Sequence, residues 1–223
     1  MWRERHRRYG EPTFVPMAEV YSIIEGVLSP SSLGFEQVRE RVWVRRVDGE
    51  HTSMWSLQPV KGAAVTIVWG TSVPYVPVRL VPRLRWARTL KQSTAALWET
   101  SGEVWSRSGG LLMRGGIDTG RGRQCVEDDA QELWTAVRDR AVAFWNTTSS
   151  PAGLLAAAQQ QAAHPSIHDP APALTAVFTR IRLGDTTAAR TRLSQLTSTL
   201  TKEELEAAKR AIDLLHHPSP DRA

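Results

Sequence analysis

The chain has a single cysteine, four lysines and no strictly apolar run longer than a few residues. Each scarcity excludes something. Cys125 cannot close a disulfide within the chain, and a cysteine-rich structural zinc site is excluded with it. One free thiol fits a reducing compartment, so a cytoplasmic location is expected. A bilayer span needs ~20 consecutive apolar residues, so no membrane is expected among the partners. The opening MWRERHRRYG is basic, yet no apolar stretch of roughly 7–15 residues follows it, and no secretory signal is expected. Tryptophan is abundant but one-sided: nine residues, none beyond Trp145. A Trp-rich front and an Ala/Leu/Thr-rich back imply two architectures.

The net charge of +5 comes from 28 Lys and Arg against 23 Asp and Glu. Arginine outnumbers lysine 24 to 4, as in proteins of GC-rich bacterial genomes. Residues 1–16 carry +2, 17–100 +3, 101–150 −1 and 151–223 +1. So thin a spread is unlike a dedicated DNA-binding domain, which concentrates its charge.

Residues 1–16 read as a flexible basic arm. Met17 is taken as the natural start of translation, which the intact mass of the protein from its source would check. Met17, Val20, Tyr21, Ile24 and Leu28 then repeat at helical spacing up to Pro30. Residues 35–47, FEQVRERVWVRRV, read as one strand, Asp48-Gly49 as a turn and 52–58 as the returning strand. Residues 63–69, AAVTIVW, make a third strand whose odd positions are expected to face the core. Gly70, Pro74, Pro77 and Pro82 mark a loop or edge segment over 70–82. Residues 83–105 admit either a strand near Thr94–Thr100 or a short helix near Trp86–Leu97. The glycine-dense 109–122 reads as loop with one strand at Leu111–Arg114.

Helical grammar governs the remainder. Glu127, Asp128 and Asp129 suit a helix start, followed by a stripe through Trp134, Val137, Ala141, Phe144 and Trp145. Ser150-Pro151 opens a second helix through about Ala163. Asp169-Pro170 opens a third, and Gly184-Asp185 ends it and caps a fourth burying Ala189, Leu193, Leu196 and Leu200. Thr201-Lys-Glu-Glu204 is a capping box for the last. The expected fold is α+β: an antiparallel meander packed against helices in 17–163, then a three-helix segment in 169–217.

Candidate chemistry is sparse. Trp43, Trp55 and Trp69 sit one per strand, either as a buried ladder or as a face that stacks bases; the buried reading is preferred. Arg79, Arg83, Arg85, Trp86 and Arg88 form the one candidate binding cluster, where arginine beside an indole could grip phosphate or carboxylate; a charge-blunted edge is the plainer account. GGLLMRGG (109–116) lacks the Lys-Ser/Thr of a phosphate loop. Gly120-Arg-Gly-Arg123 resembles an RGG contact only on the surface, with Asp118 and Glu127 beside it. His164 and His168 are separated by Pro165, which forbids a shared helical face for a metal. The acidic triplet 127–129 and Cys125 are read as helix-start residues rather than as ligands or nucleophile. No residue is assigned a catalytic or metal-binding role, and no cofactor is expected.

Leu33-Gly34-Phe35, Val42-Trp43, Leu57-Gln58, Trp69-Gly70 and Phe144-Trp145, spread over roughly 18–160, resemble a bacterial family of uncharacterised domains. That resemblance implies a mixed antiparallel sheet followed by a helix ending near an aromatic pair, and no established chemistry. Leu183-Gly184-Asp185 with Ala188, Ala189 and Leu193 is similar to a tetratricopeptide-type helix pair, of which arrays need about three to stand alone. The function expected is a non-catalytic interaction or accessory protein, with another protein as partner through the C-terminal helices. The alternatives are nucleic-acid binding through the Arg/Trp cluster and the arm, and an enzyme whose site has no recognised motif.

Overall fold

The computed structural model describes residues 13–60, 64–86, 89–107, 110–114, 116–120, 122–164 and 169–216. The basic arm up to residue 12, Arg88, His168 and His217 lie outside the described residues.

Helix α1 spans Met17–Leu28 and buries Val20, Ile23, Ile24 and Leu28. Ser29 turns left-handed at its end (φ 43°), with its N–H on the Glu25 carbonyl. Pro30 then begins a short 3-10 turn to Leu33. Strands β1 (Glu36–Arg39), β2 (Val42–Arg46), β3 (Thr52–Val60) and β4 (Ala64–Ser72) follow. They are neighbours in sequence order in a six-stranded sheet, completed by β10 (Ile117–Asp118) and β7 (Leu97–Thr100), both on β4. The protein is α+β, with an antiparallel sheet and C-terminal helices.

Residues 35–47 are two strands rather than one. Arg41 adopts φ 61° between them, and β1 folds back on β2 with Glu36 opposite Val44 and Gln37 opposite Trp43. The Asp48-Gly49 turn is present: the Val47 N–H donates to the His51 carbonyl at 2.9 Å. Strand β4 departs from the expected alternation. Residues Val65 to Val73 are buried at both parities, so both faces of this strand are covered rather than one. Its Thr66 hydroxyl is satisfied by Thr100 at 2.9 Å and Ser101 at 3.0 Å.

The segment 70–82 is not loop throughout. Strands β5 (Val78–Leu80) and β6 (Arg83–Arg85) form a separate hairpin around a cis Val81–Pro82 bond. In 83–105 the strand alternative holds, as β7, and β8 (Glu103–Arg107) pairs with β9 (Gly110–Arg114).

Helix α2 runs Arg123–Thr147 and begins four residues before the acidic triplet. The triplet therefore does not cap the helix. Glu127 pairs with Arg123 at 2.9 Å, Asp128 accepts from Gln124, and Asp129 accepts the Asp118 N–H at 3.1 Å. Helix α3 is Pro151–Ala162, its N-cap Ser150 accepting from the Gly153 N–H. Helix α4 (Ala171–Arg182) is preceded by Asp169, which accepts the Ala171 N–H. Gly184 turns at φ 85°, and Asp185 caps α5 (Thr186–Ser194) through the Ala188 N–H. Helix α5 stops at Ser194 instead of reaching Leu200, yet Leu196 and Leu200 are buried in the turns beyond it. Helix α6 is Lys202–His216.

The chain resolves into two compact units, each drawn from three stretches: Met1–Arg45, Met54–Trp69 and Glu99–Ala143 in one, Arg46–Ser53, Gly70–Trp98 and Phe144–Ala223 in the other. In the first, Trp43 and Trp55 meet edge to face, centroids 4.4 Å apart, and both are buried with Trp69. The preferred reading of these indoles as core is correct. In the second, α4 packs on α3, α5 and α6, and β6 packs on α6.

Candidate functional site

The Arg/Trp cluster is the one site expected from sequence, and the structure divides its members. Arg79, Arg83, Arg85 and Trp86 lie on or just after the β5–β6 hairpin, in the second unit. Register sets Val78 opposite Arg85, Arg79 opposite Leu84 and Leu80 opposite Arg83. Side chains alternate across a ladder, so Arg79 and Leu84 share one face and the other four share the opposite one.

Arg79 does not face outward. Its Nε donates to Glu204 Oε1 at 2.7 Å and its Nη2 to Oε2 at 3.0 Å and to the Thr199 carbonyl at 3.3 Å. Glu204 is the last residue of the expected capping box, which forms: the Thr201 N–H donates to its carboxylate at 2.8 Å, and the Glu204 N–H to the Thr201 hydroxyl at 3.2 Å. One fully buried carboxylate thus closes the start of α6 and holds the hairpin. Burial alone pushes the Glu204 carboxyl up, but the Arg79 guanidinium and the Thr201 amide outweigh it and hold the carboxyl below its ordinary value.

Trp86 is half-buried, its ring edge-on to Phe178 with centroids 6.2 Å apart. Arg83 and Arg85 are exposed. The sequence gives no sign of this division, because Glu204 lies 125 residues from Arg79.

Two further features of the second unit escaped sequence reasoning. One is a polar cluster at the Asp48 turn. Asp48 Oδ1 accepts the N–H groups of Glu50 (2.7 Å) and His51 (2.6 Å), and its carboxylate lies 3.1 Å from His51 Nδ1. The His51 backbone N–H is the main cause holding the Asp48 carboxyl below its usual value, against a smaller push from burial. His51 is buried with no partner on Nε2, and neither the Tyr75 hydroxyl nor Thr179 Oγ1 has a well-formed hydrogen bond. Burial pushes the Tyr75 phenol up to about 12. A cleft of about 190 Å3 beside the turn is lined by Arg46, Asp48, Glu50, Ser72 and Ser93 among others. By accepting both backbone N–H groups, the Asp48 carboxylate closes this turn.

The other is a groove of about 610 Å3 among α3, α4 and α5. Ala162, Ala163, Ala176 and Ala188 contribute its small side chains, while Arg180 and Arg192 contribute cations. Arg180 is paired with Asp185 at 3.0 Å, and Arg192 donates to Gln195 at 2.8 Å. Among the described residues no three His, Cys, Asp or Glu gather where a metal ion would bind, and no helix is long and apolar enough to cross a membrane.

Comparison with known protein families, curated proteins and solved structures yields no match to this chain.

Proposed function

We propose that the chain is a non-catalytic accessory protein that binds another protein through its C-terminal helices. The groove among α3, α4 and α5 carries this reading. Alanine at four of its lining positions lets a partner helix or strand approach the helix backbones closely, and the polar rim supplies donors to fix its register. In the first unit Trp43, Trp55 and Trp69 lie inside, which removes these three as an aromatic recognition face.

The test is recovery of the tagged chain from its native source at natural abundance, beside the variant Ala188→Arg, which places a long cation in the groove. A stoichiometric partner with the parent chain, lost from the variant, supports the reading. Recovery of the parent chain alone, or a partner indifferent to Ala188→Arg, refutes it.

Nucleic-acid binding keeps one supporting observation, the exposure of Arg83 and Arg85. It has lost Arg79 to Glu204 and Trp86 to Phe178. Retention on a single-stranded oligonucleotide, falling steeply with salt, is its signature; no retention at low salt ends it.

A further inference from the structure

The β5–β6 hairpin presents a surface that the groove does not involve. Between His51 and Trp98 the sequence contains no aspartate or glutamate, while Gly70–Trp98 contains Arg79, Arg83, Arg85, Arg88 and Lys91. Glu204 neutralises Arg79. Arg83, Arg85 and Lys91 are exposed, with no ion-pair partner among the described residues.

The face opposite Arg79 holds Val78, Leu80, Arg83 and Arg85, as the register requires. Leu80 pairs with Arg83 across a two-residue turn, Val81–Pro82, so the apex is narrow. Leu80 is 51% exposed and Val81 63% exposed, two of the larger apolar exposures in the chain. The hairpin therefore ends in an aliphatic tip with two guanidiniums directly behind it, and Arg79 on the other face fixes the whole hairpin to α6.

A nucleic acid would use the guanidiniums and leave the aliphatic tip in water. It would also call for an open aromatic face, and the half-buried Trp86 is already packed against Phe178. An anionic bilayer surface uses both parts: aliphatic side chains seat at the boundary of headgroup and acyl chain, and arginine meets lipid phosphate. A pointed tip suits that soft surface better than a flat protein face. Run length decides whether a segment spans a membrane. It does not decide whether a tip rests on one, so the sequence expectation of no membrane partner does not reach this contact.

We propose that the β5–β6 hairpin is a peripheral membrane contact. Leu80, Val81 and Pro82 seat in the interface of an anionic bilayer while Arg83 and Arg85 bind lipid phosphates. The contact is independent of the groove among α3, α4 and α5.

The experiment is co-sedimentation of the full chain with vesicles of phosphatidylcholine alone and of phosphatidylcholine mixed with phosphatidylglycerol. Two arginines near the surface predict binding to the mixed vesicles on the order of tenfold stronger, weakening as salt is raised. Leu80→Ser with Val81→Ser should lose most of the binding, and Val81→Ser alone part of it, with tryptophan emission unchanged in buffer. Arg83→Gln with Arg85→Gln should erase the preference for the anionic lipid. Absence of binding, equal binding to both vesicles, or binding indifferent to the serine substitutions overturns the proposal. So does an oligonucleotide that binds through Arg83 and Arg85 while the vesicles are ignored.

Discussion

Arg79 and Glu204, 125 residues apart in sequence, meet in a two-pronged ion pair with N–O distances of 2.7 and 3.0 Å. The carboxylate is wholly buried, whereas the guanidinium side chain is 23% exposed. The same carboxylate accepts the Thr201 N–H, so the hairpin and the first turn of α6 depend on one side chain. Removing the arginine leaves a buried charge with only its cap bonds.

Arg79→Ala should therefore destabilise the protein by about 2–3 kcal/mol, somewhat below the roughly 3–5 kcal/mol for a fully buried pair because water reaches the guanidinium. Arg79→Lys keeps the charge but not the fork and should recover only part of the loss. Urea unfolding followed by tryptophan emission measures both. Loss below about 0.5 kcal/mol for the alanine variant would mean that the pair is ordinary surface decoration.

Glu204 also sets an acid sensitivity. Its carboxyl is held below the ordinary value in the folded chain, so its contribution is fully present above the unfolded carboxylate value of about 4.3 and is lost as pH falls through the folded value. Glu204→Gln should lower stability at neutral pH and flatten the decline on acidification. Unfolding midpoints of the two proteins across the acid range decide it; parallel curves count against the assignment.

Trp43 and Trp55 touch at 4.4 Å between centroids, and both are buried. Truncating Trp43→Ala should cost about 3–5 kcal/mol through the cavity it leaves, and Trp43→Phe distinctly less. Iodide should quench little of the emission that Trp43→Phe removes. Strong quenching of that component places the indole in water and refutes the buried pair.

Gly70 has no room for a side chain. A Cβ there would lie 2.6 Å from the Leu97 carbonyl oxygen and 2.7 Å from the Ala95 Cβ. The Gly70 carbonyl also accepts the Trp145 indole N–H at 3.2 Å. Gly70→Ala should cost about 1–3 kcal/mol by overpacking, read as a lowered thermal midpoint. An unchanged midpoint means that β4 and β7 are further apart than described.

Tyr75 behaves in the opposite sense. Its hydroxyl is buried without a well-formed partner, and its phenol is pushed up to about 12. Deleting the oxygen in Tyr75→Phe should change stability by less than about 1 kcal/mol, or raise it. Ultraviolet titration should show a phenol ionising at about 12, and that step should vanish in the variant.

The features legible in the sequence are those written in a few adjacent residues. Asp48-Gly49, Ser150-Pro151, Gly184-Asp185 and Thr201 with Glu204 each announce a turn or a cap, and each is where it was expected. Arg41 hides the break between β1 and β2, because a positive φ at arginine has no glycine to signal it. Val81-Pro82 conceals the β5–β6 hairpin for a similar reason: it contains none of the glycine or asparagine that marks most two-residue turns. The acidic triplet 127–129 suggested a helix start, but its members answer to Arg123, Gln124 and Asp118 instead. Of the candidate cluster, composition exposed the arginines, while the partner that takes Arg79 away from the surface lies too far along the chain for any local pattern to reveal.

The interleaving of the two compact units bears on how such a gene can be inherited. The chain passes from one unit to the other after Arg45, Ser53, Trp69, Trp98 and Ala143. No single cut in the coding sequence separates one unit from the other, because the chain returns to each of them twice. Exchange of one contiguous segment therefore cannot replace one unit and leave the other untouched.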